Sequence, residues 1–493
     1  MNLDPIPAED IETLKFIKIY AGFCCFGSTA ERKVHDFIQR QIAEQLETCE
    51  LGIIFTRMGW ARLPNGSRVY VAGGRVIDNL GGIKYALAPE LLKVHLLDGK
   101  IPTARLLQEF FACIKVCFLI LIPLIAYAIK SLLNTPFAEA GYPLRFVLHL
   151  LGEQGVGKTT TAMKFALPFD IEEPMKMPFG FVDAGGTPAA LRRFFDSMRD
   201  VPALLDDIAK TSDPKEDRQR QSTASQLIRY VANAAGRQLV SGKHVEFINA
   251  KCGMIVTAEH KPQSESDTTR CVTLVLLDQM GSLSQNNREL TASVLSSFIK
   301  HFADNYNNLT AGIKAFLDRK SVYEEGLRQQ QHFNELECCF CLLLDFTVAE
   351  QALTRKEAKE LRKLANESFN VSYRRNCEML RDVDRVSLNH PGEIIREAIE
   401  NGALEIAKSL KKFKKDADEY DGFRDDNLVM IRQSSIARLF SEVSNRSVST
   451  IEAGKILRGC GLVAENGEKK TAAHKAKDMP RMVKFDKKSL NCS

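Results

Sequence analysis

Long apolar runs are missing from this sequence, and so is any pattern of paired cysteines. The most apolar stretch, VCFLILIPLIAYAI, spans only Val116 to Ile129, lies between Lys115 and Lys130, and is interrupted by Pro123. A bilayer span needs about 20 such residues, so no membrane role is expected and a buried, kinked helix is. The 13 cysteines fall at no framework spacing. With an odd count and no leader-like opening, they read as thiols of a soluble protein in a reducing cytosol. Cys338, Cys339 and Cys341 crowd into ELECCFCLLLDF without a partnering histidine or a second Cys-x-x-Cys, so this segment reads as a buried helix rather than a metal site. A large charge of one sign is lacking too: 67 lysines and arginines against 62 acids leave +5. No global field commits the protein to nucleic acid, and any basic surface has to be local. Tryptophan is reduced to Trp60, which reads as packed on a small sheet.

What is present is length: 493 residues, 45% of them hydrophobic, suffice for about two or three cores. In FVLHLLGEQGVGKTTTAMKFALPF an apolar strand pattern from Phe146 to Leu151 breaks into glycines, reaches Lys158 and Thr159, and continues as an amphipathic helix. Gly152, four residues, then Gly157, Lys158 and Thr159 form a complete P-loop in the strand-to-helix context that the motif requires. Gly155 and Gly157 can take positive φ, which turns the amides of Gly152, Glu153, Gln154, Gly155, Val156 and Gly157 toward an anion at the N-terminus of the following helix. Lys158 is expected to reach the outer phosphates of a triphosphate, Thr159 to ligate magnesium, and Thr160 to meet a nearer phosphate.

The chain reads in four parts. Residues 1–140 alternate helix-like segments such as ERKVHDFIQRQIAEQLE with short strands, and PNGS between Ala61–Leu63 and Arg68–Val71 signals a hairpin, giving a small α+β domain. Residues 141–320 alternate apolar runs with helices, the pattern of a P-loop α/β core with a mainly parallel sheet. Its further strands are expected at Phe179–Gly185, Val201–Ile208, Cys252–His260 and Cys271–Asp278, and the polar C-terminal ends of parallel strands converge on one edge. Residues 321–422 are charged and helical, with solvated faces. Residues 423–493 read as strand, helix, turn, second helix and a basic segment, the layout of a winged helix.

Chemistry is then assigned by position. Asp206 and Asp207 end an apolar strand: the first is expected to hold hydrated magnesium with Thr159, the second to orient the attacking water. Asp207 is one methylene shorter than the usual glutamate, which predicts slow hydrolysis. Thr257 and Glu259 close the next strand, where a sensor of the terminal phosphate belongs. Arg270 precedes the last strand and is a candidate for an arginine projected into a neighbouring subunit; Arg229, Arg237 and Arg288 compete for that role. LVSGKHVEF reads as a hairpin carrying Lys243 and His244, placed to grip a phosphate backbone. In the last part, Lys469, Lys470, Lys475, Lys477 and Arg481 are candidate DNA contacts.

Taken in order, MGWARLPNGSRVYVAGG, LHLLGEQGVGKTTTAMKFA, GGTPAAL, LLDDI, YVANAAGR and VTAEH resemble the P-loop proteins of prophages and integrative elements grouped as domain of unknown function 927. The departures are Asp207 for glutamate, and Ala234 and Ala258 for glycines. The resemblance implies an additional-strand ATPase core similar to superfamily 3 or AAA+ helicases, with ATP and Mg²⁺ as cofactors. It also implies a homo-oligomer, a hexameric ring among its forms, acting on single-stranded or forked DNA in a mobile element. The alternatives are a regulatory NTPase switch that does not move on DNA, and a nonenzymatic DNA-binding protein.

Overall fold

The computed structural model describes residues 33, 36–37, 40–41, 53–77, 84–96, 103–171, 179–208, 214–233, 237–241, 244–248, 250–262, 264–277, 287–321, 328–386, 388, 390–425, 428–444, 448–463 and 480–486. The chain divides into two compact units, Met1–Lys261 with Arg270–Tyr373, and Pro262–Thr269 with Arg374–Ser493. In the first unit one hydrophobic cluster runs from Phe55 to Phe369, through the segments read from sequence as separate α+β, ATPase and helical parts.

The first unit opens with β1 (Ile53–Phe55), β2 (Gly59–Arg62), β3 (Arg68–Val71), β4 (Val76–Ile77), β5 (Tyr85–Leu87) and β6 (Val94–Leu96). β2, β3 and β4 form an antiparallel meander, and β1 pairs in parallel with β5. The PNGS signal is honoured: the Leu63 amide donates to the Ser67 carbonyl at 2.9 Å, and Gly66 takes a φ of 87°. Trp60 is buried among Tyr70, Phe302 and Tyr306, and its indole N–H donates to the Leu132 carbonyl at 2.9 Å.

Helices α1 (Thr103–Val116), α2 (Phe118–Leu132) and α3 (Asn134–Glu139) follow. Most of the apolar stretch is α2, with Pro123 inside it and every residue from Leu121 to Leu132 buried, but Val116 closes α1 and is exposed. Among the described residues no helix is long and apolar enough to cross a membrane.

The central sheet takes β7 (Val147–Leu151), β9 (Phe181–Asp183), β10 (Arg199–Ile208), β13 (Lys251–Ala258) and β14 (Cys271–Val275). Its order is β14-β7-β13-β10-β9 and every pairing is parallel. Between these strands run α4 (Lys158–Ala166), β8 (Phe169–Ile171), α5 (Pro188–Ser197), α6 (Pro214–Ala232) and the antiparallel pair β11 (Arg237–Ser241) and β12 (His244–Ile248). β8 pairs with β6, joining the small N-terminal sheets to the core.

Two close approaches lock the layers together. A Cβ on Gly253 would lie 1.8 Å from Ser131 Oγ, so only glycine lets α2 press on the middle strand. At the start of β10, Asp200 is fully buried with a φ of 50°. Its carboxylate accepts from the amides of Trp60 at 3.1 Å and Thr135 at 2.7 Å, and from the Thr135 hydroxyl at 2.8 Å. Burial pushes this carboxyl up, while Arg199 and these donors pull it back; the satisfied acid ties β2 to the core strand.

Helices α7 (Asn287–Asp304), α8 (Tyr306–Ser321), α9 (Arg328–Ala349) and α10 (Arg355–Val386) complete the framework. Cys338, Cys339 and Cys341 lie buried on α9, where burial pushes all three thiols up, Cys341 to about 11. Lys130 of α2 pairs with Glu335 of α9 at 2.8 Å with both side chains buried, donates to the Tyr142 carbonyl at 2.7 Å, and lies 3.6 Å from the Phe137 ring centroid.

The second unit contains α11 (Pro391–Glu400), β15 (Ile406–Ala407), α12 (Leu410–Lys415), β16 (Gly422–Arg424), β17 (Leu428–Arg432), α13 (Gln433–Ser444), α14 (Thr450–Gly459) and β18 (Met482–Asp486). Its sheet order is β15-β16-β17-β18, with β18 antiparallel to β17, and α11, α13 and α14 bury one side against it. The expected strand and two helices are β17, α13 and α14, while residues 445–447 of the expected turn lie outside the described residues. Lys469, Lys470, Lys475 and Lys477 lie outside the described residues.

Candidate active site

β7 is buried along its whole length and delivers the chain to the C-terminal edge of the sheet. A Cβ on Gly152 would lie 2.7 Å from the Leu276 carbonyl and 2.9 Å from Val156 Cγ2, so bare backbone is needed there. Gly155 and Gly157 take φ values of 82° and 87°, the left-handed region that glycine enters without strain. Gly157 is the N-cap of α4, and no side chain caps that helix. By contrast Thr187 caps α5 and Ser449 caps α14. The uncapped amides of the first turn and the positive end of the helix dipole leave a ready anion site. The Lys158 ammonium bridges the carbonyls of Gly152 at 2.7 Å and Glu153 at 2.8 Å, which poises it over the loop.

Three strand ends meet at this cradle. The Thr159 hydroxyl donates to Asp206 Oδ1 at 2.6 Å, and the Thr257 hydroxyl donates to the same oxygen at 2.5 Å. This convergence depends on β13 lying between β7 and β10. Leu205 pairs with Val256 and Ile208 with Ala258, so Asp206 and Asp207 together oppose Thr257 in a bulge of the β10 backbone. The Asp207 side chain lies outside the description. The Glu259 amide donates to the Ile208 carbonyl at 3.3 Å and carries the ladder one residue past β13. Gln154, Lys158, Thr160, Asp206, Thr257 and Glu259 line one cleft of 310 Å³.

The donor chemistry fits magnesium. A hydroxyl and a carboxylate, both hard oxygen donors, already touch, and among the described residues no group of three His, Cys, Asp or Glu gathers. A cation held by Thr159 and Asp206 must complete its shell with phosphate and water oxygens, the habit of Mg²⁺.

The arginine candidates separate. Arg288 is engaged within its own chain: it donates to the Phe169 carbonyl at 2.9 Å and pairs with Asp170, so it tethers the segment after α4 and is withdrawn as a candidate for a neighbour's site. Arg229 lies on α6 and Arg237 opens β11. Arg270 stands at the opposite, N-terminal edge of the sheet, where its carbonyl accepts from the Val147 amide at 2.9 Å and its Nε donates to Asn233 at 3.0 Å. Sequence reading missed two companions there. Arg145 lies two residues before β7, Arg328 opens α9, and burial followed by Arg270 and Arg145 pushes the Arg328 guanidinium down. The signal was available in one case: arginine closely precedes two apolar strands, in RFVLHLL and RCVTLVLL.

The hairpin expected at LVSGKHVEF is present as β11 and β12, with His244 opening β12 opposite Ser241; Lys243 lies outside the described residues. In the second unit Arg481 is exposed just before β18. Ile451, 68% exposed, shares one face of α14 with the exposed Lys455 and Arg458 at helical spacing, a set that basic-residue counting alone did not single out.

No protein-family model matches the chain, and no curated protein does, so the resemblance to domain 927 rests on its motifs. Among solved structures, one described as "SCCmec type IV Cch - active helicase" superposes with a TM-score of 0.57 at 14% identity, covering 98% of this chain and 88% of that one. The likeness is one of fold. A second, "The X-ray structure of JCV Helicase", gives a TM-score of 0.22 at 13% identity, over 44% of this chain and 72% of that one, too low to carry an argument.

Proposed function

We propose that the chain is an ATP- and Mg²⁺-dependent ATPase of helicase or translocase type that acts on DNA in a prophage or other mobile element of a cytoplasm. The observation that carries this reading is the single carboxylate oxygen of Asp206, which accepts from Thr159 of the P-loop and from Thr257 of the inserted strand. That junction brings the phosphate cradle, the magnesium donors and a sensor hydroxyl to one point. Amides at residues 152–157 and Lys158 bind the phosphates, Thr160 meets a nearer one, and Thr159 with Asp206 holds the cation. Bound there, Mg²⁺ neutralises phosphate charge in the transition state. Thr257 registers the terminal phosphate through Asp206.

Assembly follows from what the cleft lacks. Lys158 is the one cation among the described residues of its lining, and Arg270 stands at the other edge of the sheet. A homo-oligomer, such as a hexameric ring, supplies Arg270 of one copy to the cleft of the next. DNA contact is assigned to the β11–β12 hairpin with Lys243 and His244, to the exposed face of α14 read as the recognition helix of a winged helix, and to Lys469, Lys470, Lys475, Lys477 and Arg481. The match to a solved helicase fold supports this reading.

ATP turnover with and without single-stranded DNA tests it. DNA stimulates hydrolysis by the wild-type chain, and Lys158→Ala abolishes nucleotide binding or turnover. Full activity in that variant would contradict the phosphate assignment. One observation favours a second reading, a regulatory NTPase switch: Asp207 stands where a longer glutamate is usual. Turnover indifferent to DNA selects the switch.

A further inference from the structure

We propose that Glu259, rather than Asp207, is the carboxylate that directs the attacking water, an inference that rests on the ATPase reading above. Asp206 Oδ1 is occupied by the hydroxyls of Thr159 and Thr257, which commits that acid to the cation and its neighbours. A second carboxylate in the same cleft is needed to orient water, and Glu259 is there. It follows Thr257 by two residues, just past the end of β13, and lines the cleft that Thr257 and Asp206 also line. The Glu259 amide is held by the Ile208 carbonyl at 3.3 Å, which fixes its backbone against β10. Its side chain is longer by one methylene than the aspartate at 207, the reach that the usual glutamate has. It is half-buried in the cleft lining, so a proton taken up there can leave to solvent.

The step balances without a redox partner. The water oxygen bonds to the terminal phosphorus of ATP as the bond from that phosphorus to the bridging oxygen breaks. The electron pair departs on ADP, and the water proton passes to the Glu259 carboxylate and on to bulk water.

The test uses the full chain at saturating MgATP together with direct binding of a fluorescent ATP analogue. Glu259→Gln lowers kcat by about 10²–10⁴-fold while analogue affinity stays within about threefold. This loss exceeds that of Asp207→Asn by at least about tenfold, Glu259→Asp keeps part of the rate, and the acid limb of the kcat–pH profile disappears in Glu259→Gln. Wild-type kcat in Glu259→Gln overturns the proposal, as does loss of analogue binding in parallel with turnover, or a deeper loss in Asp207→Asn. The ATPase reading fails differently: the wild-type chain itself shows no turnover, and Lys158→Ala binds the analogue as tightly as wild type.

Discussion

At one edge of the central sheet the strand ends present a single ammonium, Lys158, among hydroxyls and acids; at the other edge, Arg145 and Arg270 lie close enough to Arg328 to push its guanidinium down. Two hydrogen bonds bring the three arginines together: the Val147 amide to the Arg270 carbonyl, and Gln329 Nε2 to the Cys271 carbonyl, each at 2.9 Å. β7 separates the edges by its five residues, about 17 Å, so the arginines of one copy do not reach its own cleft. In the oligomer proposed above, the arginines of one copy meet the anion held in the cleft of the next.

The comparison breaks most sharply at Arg270. Arg270→Ala lowers turnover by about 10³-fold if the arginine meets a neighbour's terminal phosphate. Mixing it in equal amounts with Lys158→Ala then restores about a quarter of wild-type sites, those pairing an intact cleft with an intact arginine edge. Turnover assays of the mixture that stay at the level of the separate variants sink the two-edge account.

Behind the arginine edge, the Glu335 carboxylate lies between Lys130 and the field of Arg145; burial pushes it up, and Lys130 first among the cations pulls it down. Lys130→Met leaves this acid buried without its partner and costs about 3–5 kcal/mol, whereas Lys130→Met with Glu335→Leu recovers most of that. Urea melts of both variants decide it, and equal losses would show that packing rather than charge is at stake.

The smallest effect concerns the interior near the two edges. Burial holds His149 of β7 at about 4, and burial with Arg328 and Lys130 holds His332 of α9 at about 3, against an ordinary 6.5. Both imidazoles are neutral in the folded protein at pH values where the unfolded chain binds protons. Their contribution to stability is therefore complete above about 6.5 and declines as pH falls through about 4 toward about 3. Chemical denaturation at pH 7 and pH 5 measures it. The pH dependence flattens when His149→Val and His332→Phe are combined, and an unchanged slope in that variant assigns the decline to carboxylates.

How much was legible differs by element. The PNGS hairpin, the buried α2 and the five core strands announced themselves through turn residues and apolar runs. The shared core of the N-terminal sheets and the central-sheet strands did not, because it depends on Asp200 meeting Trp60 and Thr135 from distant parts of the chain. Arg288 looked as eligible as Arg270 until its contacts with Phe169 and Asp170 showed it to be a tether. Of the site, the cradle residues were readable one by one, and Asp206 was readable as a strand-end acid. That Glu259 and Thr257 line the same cleft was readable only as a shared edge, since a strand's neighbours are not written in its own residues.

From its sequence alone this protein was determined to carry a glycine turn from a buried strand into a helix that opens on Lys158 and Thr159, because these residues act through bonds and dihedrals within a few consecutive positions. Only the tertiary structure decided that β13 slips between β7 and β10, that Thr257 and Thr159 share one oxygen of Asp206, and that three arginines crowd the far edge. Those outcomes are set by pairing between strands far apart in the chain, where register and order follow from burying the whole sheet at once.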